Sequence, residues 1–121
     1  MPQVRIEFSG NLKDGFDARG FALEVHEHLA SIADADPASC KTRLIRRDDV
    51  VIGHGSPDRA LIHVDLRILS GRSAEQKRAL GAAVMRSLEQ AFDKPPGMDV
   101  QLTVEVGEMD RDFYQKVRLA P

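Results

Sequence analysis

The even positions at the start of the chain, Pro2, Val4, Ile6 and Phe8, are apolar, while Gln3, Arg5 and Glu7 between them are polar. A strand sends successive side chains to opposite faces, so this alternation predicts a strand with one buried side, ended by Ser9-Gly10-Asn11. The period then changes. Phe21, Ala22, Val25, Leu29, Ile32 and Ala33 recur at helical spacing and leave Glu24, Glu27 and His28 for the wet side, which predicts a helix over roughly 14–33. The stretch DADPAS breaks that pattern. KTRLIRRDDVVIGHG then reads as a β-rich passage with a turn or bulge near Asp48 and Asp49.

The same order begins again at ALIHVDLRIL, where Ala60, Ile62, Val64, Leu66 and Ile68 alternate with Leu61, His63, Asp65 and Arg67. Ser73 followed by Gln76 has the form of a capping box opening a second helix. The stripe Ala79, Leu80, Ala83, Val84, Leu88, Ala91 and Phe92 carries that helix to the stop signal DKPPG. VQLTVEV, residues 100–106, alternates once more, and the tail EMDRDFYQKVRLAP has no clear period. The pattern therefore predicts an α/β chain of two βαβ halves, an α+β two-layer sandwich. Four main strands form one sheet, with both helices on one face of it. The opposite face carries Arg5, Glu7, His63, Asp65, Arg67, Gln101, Thr103 and Glu105. It is too polar to be a second core and suits solvent or a wet contact with other subunits.

A length of 121 residues fits a single domain, 1–121, with one modest core. The 19 acidic and 17 basic side chains nearly cancel, leaving a net charge of -2 and no global field for nucleic acid or an anionic membrane. A small anion is still within reach, because a few local cations set the field at a site. Cys40 is the one cysteine, which excludes an intrachain disulfide and a cysteine-based zinc site. The first residues lack a signal-peptide run, and no stretch approaches the ~20 apolar residues of a bilayer span. A soluble, cytoplasmic protein is expected.

Pro directly after Met at the head of a strand, two βαβ halves and a Gly71-Arg72-Ser73 turn opening the second helix together resemble the tautomerase superfamily. Within it the chain is most similar to the 5-carboxymethyl-2-hydroxymuconate isomerases, through MPQVRIEFSGNL and ALIHVDLRILSGRSAEQKRALGAAVMRSLEQAF. The resemblance implies a homotrimer and a cofactor-free keto-enol or allylic isomerisation of a small anionic unsaturated carboxylate. Pro2 would be the catalytic base and Arg72 a substrate-binding residue. The family's second arginine, from an R-x-R pattern, falls on Lys41-Thr42-Arg43, so Lys41 replaces it or Arg43 takes over. Lysine keeps the charge but loses the planar fork, which leaves the substrate more open than the reaction class. A phenylpyruvate-type tautomerase and a non-catalytic trimeric binding protein are the alternatives.

The chemistry makes specific demands on these residues. An ordinary secondary ammonium is too basic to be mostly neutral near pH 7, so burial or neighbouring cations must lower its pKa. Lys41 and Arg72 are the candidate cations, and they would also stabilise the enolate-like charge as the proton leaves. The amine exists only once Met1 has been removed, since a residue preceding proline turns its nitrogen into an amide. His26 and His28, two apart on a helix, cannot form a metal pair and are expected on the surface. His63 is expected in an interface hydrogen bond, and Cys40 as a small buried side chain. Phe113 and Tyr114 are left between a pocket wall and a subunit contact.

Overall fold

The computed structural model describes residues 1–121. Its main elements are β1 (Gln3–Ser9), α1 (Ala18–Ala33), β2 (Lys41–Arg47), β3 (Arg59–Leu69), α2 (Ala74–Gln90) and β4 (Asp99–Met109). The sheet order is β2-β1-β3-β4. β1 is parallel to β2 and β3 is parallel to β4, while the central pair β1 and β3 is antiparallel. Each half is thus a βαβ unit, its helix returning the chain so that the next strand can run alongside the first. The antiparallel join makes the halves two pseudo-equivalent units about an axis between β1 and β3.

The core lies on one face of the sheet. Val4 pairs with Leu66 and Ile6 with Val64 across the central ladder, and all four are fully buried. Against them pack Phe21, Val25 and Leu29 of α1 and Leu80, Val84 and Leu88 of α2. Burial of each large apolar side chain contributes about 1.5–3 kcal/mol. β1 is an inner strand with ladders on both sides, so the amino end of the chain is fixed rather than frayed. The other face is polar: Glu7 accepts from Arg5 and from Arg47, each at 3.2 Å, and His63 Nδ1 lies 2.7 Å from Thr103 Oγ1.

The capping box forms in full, with Gln76 N donating to Ser73 Oγ at 3.1 Å and Ser73 N to Gln76 Oε1 at 2.9 Å. Three boundaries and one helix face differ from expectation. α1 starts at Ala18 because Asp17 caps it, accepting from Gly20 N at 3.1 Å, and the residues before form a 3-10 turn (Gly10–Gly15) that buries Leu12. β2 stops at Arg47, and residues 48–58 form no strand. Gly53 and Gly55 turn there through positive φ, and Val51 is 80% exposed, so this apolar run covers no core. β4 runs on to Met109 because its ladder with β3 continues to Leu69. In α2 the predicted stripe is modified: Ala79 is exposed and Ser87 is buried.

Candidate active site

The amino end of β1 meets the start of β2 and the turn after β3. Pro2 is buried, and its carbonyl accepts from Lys41 N at 3.1 Å, the first rung beyond the parallel β1–β2 register. The Met1 ammonium donates to Ser39 Oγ at 3.3 Å, and that hydroxyl donates to Asp36 O at 2.8 Å. Lys41 Nζ donates to Ser39 O at 2.7 Å, which holds its charge near the chain end. Burial lowers the pKa of the terminal ammonium. Cys40 opposes that shift, while the positive charges of Lys41, Lys116 and Arg72 reinforce it. Three cations from distant parts of the sequence therefore act on one amino terminus.

Arg72 is half-buried and held by the backbone. Its Nε donates to Ala33 O at 2.9 Å, and its Nη1 makes a longer bond of 3.4 Å to Leu69 O. A cation on the last carbonyls of α1 is favoured by the helix dipole, and these contacts fix the side chain in one orientation. Neither Arg72 nor Lys41 pairs with a carboxylate. Arg43 goes elsewhere: on the polar face it donates to Gln3 Oε1 at 2.7 Å. Gln3 Nε2 in turn donates to Tyr114 Oη at 3.0 Å, which ties the tail to β1, while Phe113 is 84% exposed and walls nothing within the chain. The aperiodic tail thus supplies Lys116, whose contribution no local pattern signals.

The helix histidines are not the free surface residues their spacing suggested. They do point apart, but His26 Nε2 lies 2.7 Å from Thr42 Oγ1 of β2, and His28 Nε2 lies 2.7 Å from Ser87 Oγ of α2. Each bridges α1 to a neighbour, and burial lowers the pKa of His26. Cys40 is half-buried against the core, and burial raises its thiol pKa. No three His, Cys, Asp or Glu side chains converge as a metal ion would require. An open cleft of about 310 Å³ adjoins the turn after β3, lined by Asp34, Ser70, Gly71, Arg72, Gln76 and Arg111. A separate cleft of about 210 Å³, beyond the carboxyl end of β1, includes Arg47, Asp48 and Arg59 but none of the residues acting on the amino terminus.

Residues 2–118 match the family model of 5-carboxymethyl-2-hydroxymuconate isomerase. The chain belongs to this family. The isomerase is 27% identical over 92 residues to the 5-carboxymethyl-2-hydroxymuconate Delta-isomerase of Escherichia coli, covering 76% of this chain and 73% of that one. Its fold is similar to the crystal structure of a 5-carboxymethyl-2-hydroxymuconate isomerase from Deinococcus radiodurans R1. The TM-score is 0.86 at 22% identity, over 98% of this chain and 90% of the other. A fused 4-OT described as a symmetric trimer matches with a TM-score of 0.68 at 12% identity, over 93% and 91% of the two chains. The four-stranded mixed sheet with two helices is the tautomerase fold, and the protein is a tautomerase-type isomerase. No helix is long and apolar enough to cross a membrane.

Proposed function

We propose that this isomerase moves a proton along a small conjugated hydroxy-carboxylate, as a 5-carboxymethyl-2-hydroxymuconate delta-isomerase does. Pro2 is the general base and Arg72 and Lys41 are the anchors of the substrate anion. The observation that carries this reading is the Met1 ammonium at the head of β1, made less basic by burial and by Lys41, Lys116 and Arg72, surroundings that the adjoining Pro2 amine would share once Met1 is gone. Once Met1 has been cleaved, the secondary amine of Pro2 takes up the position at the head of β1. Its lone pair accepts the hydroxyl proton of the dienol, the electrons shift along the conjugated chain, and the proton is returned to a distant carbon. Arg72, presenting a fork to a carboxylate, and Lys41 balance the negative charge that spreads in the transition state. The base and the fixed cations supply the whole reaction, so no cofactor is called for.

Arg43 is given no part in binding in this reading, because its guanidinium is engaged by Gln3 on the polar face. That polar face is the surface through which three copies would pack, in line with the trimeric fused 4-OT of similar fold. The chain acts as one domain in the cytoplasm, in the breakdown of aromatic compounds. The test follows ketonisation of a 2-hydroxydienoate by wild type, Pro2→Ala and Arg72→Ala, with intact mass establishing that Met1 is gone. Removal of a general base is expected to cost on the order of 10²-fold or more. Equal rates in all three proteins would eliminate the proposal.

A further inference from the structure

We propose that Arg111 is a second substrate-anchoring residue, sharing with Arg72 the capture of one carboxylate in the cleft beside the Gly71 turn; this rests on the isomerase reading above. The β3–β4 ladder closes where Ser70 N donates to Met109 O at 2.9 Å, and two residues later the chain places Arg111 beside that turn. Arg111 N donates to Ser70 Oγ at 3.1 Å, and its Nε and Nη2 donate to Ser70 O at 3.2 and 3.1 Å. The guanidinium is therefore held by a fork on one carbonyl, as Arg72 is held by Ala33 O and Leu69 O.

Both arginines line the same cleft of about 310 Å³, and neither forms an ion pair. Arg111 Nη1 and Arg72 Nη2 donate to nothing within the chain. Gly71 between them has φ +118, and a methyl added there would come within 3.9 Å of Arg111 Nη2. The one acid in the cleft is Asp34, so two cations face a single carboxylate. Gln76, with its amide committed to Ser73 N and Ile32 O, adds no charge. Two backbone-anchored guanidiniums with spare donors, left one negative charge short, are suited to a carboxylate that bridges them.

Calorimetry of the full chain with adipate, a saturated dicarboxylate that cannot react, tests this alongside steady-state kinetics. Arg111→Gln is expected to weaken adipate by about tenfold and to raise KM with kcat kept, the loss of one charge-assisted contact. Arg111→Lys should recover part of that loss, and Arg118→Gln in the tail should match wild type, which controls for net charge. Melting curves identify any variant that unfolds, and Arg111→Lys then carries the test. Adipate binding that no Arg111 variant alters beyond twofold, or that is absent from the wild type, overturns the assignment. A wild type that turns over no 2-hydroxydienoate, with the Arg111 effect on adipate intact, would instead sink the isomerase reading and leave the subsite standing.

Discussion

Arg72 Nε donates to the carbonyl of Ala33 at 2.9 Å, so the turn that opens α2 is tied to the last turn of α1. One side chain thus joins the two halves at the end of the sheet where the chain begins. Removing it has a structural consequence apart from any contact with substrate. Arg72→Lys keeps a cation but cannot reach both carbonyls with a planar fork. It is expected to lower the melting midpoint by a few degrees, the scale of one hydrogen bond to a charged group in a domain of this size. Thermal denaturation of the two proteins at pH 7 measures it.

Ser73→Ala removes the acceptor for Gln76 N and with it half of the capping box. A cost of about 1 kcal/mol is expected, seen as a lower urea midpoint with an unchanged slope. Ser73→Asp should keep most of the stability, since it restores an acceptor at the same end.

The activity of the processed protein should fall on the acid side as the terminal amine takes up a proton. Burial and the three cations lower the pKa of the Met1 ammonium, and the same surroundings are expected to keep the Pro2 amine neutral to lower pH than in a free chain. Lys41→Ala or Lys116→Ala removes a lowering charge and should move the acid limb of kcat/KM to higher pH. A limb that stays in place in both variants would show that another group sets it.

His26 titrates in the opposite sense to a salt-bridged histidine. Burial sets its folded pKa below the ordinary 6.5, so under acid conditions the unfolded chain binds more protons at this position. Its contribution is fully present above pH 6.5 and is lost as pH falls through that value toward the folded pKa. Melting midpoints compared at pH 7.5 and 5.5 should therefore drop less in His26→Gln than in the wild type.

Lys41→Arg restores a fork where the lysine stands on β2. If Lys41 touches the substrate anion, the change should alter the ratio of kcat/KM between a mono- and a dicarboxylate dienol. An Arg43→Lys change, on the Gln3 side, should leave that ratio alone.

The strands that pack one face against helices were legible because burial on alternate residues writes itself into composition: Val4 and Ile6, Ala60 to Ile68, and the alternation of β4 all emerge from period alone. The capping box was legible because all its atoms come from four neighbouring residues. Residues 48–58 were not, since Val50 and Val51 have the composition of a strand but no partner ladder, and pairing is a property of what lies opposite. The contacts of His26 with Thr42 and of His28 with Ser87 span 16 and 59 residues, beyond any local period. Pro2 and Arg72 stood out through the family's motif, whereas Lys116 and Arg111 reach the same end of the sheet only through the path of the tail.

The antiparallel join of β1 and β3 has a consequence for stoichiometry. Each half begins with a strand whose neighbour runs alongside it, so the start of β3 is the structural counterpart of the start of β1. A peptide bond runs into β3 from Asp58, however, so the start of β3 carries no α-amine. The duplicated architecture therefore has two equivalent ends, of which the proposed Pro2 base would occupy one, and an assembly of such chains would hold one proline-based centre per polypeptide, half the number its repeated fold would allow.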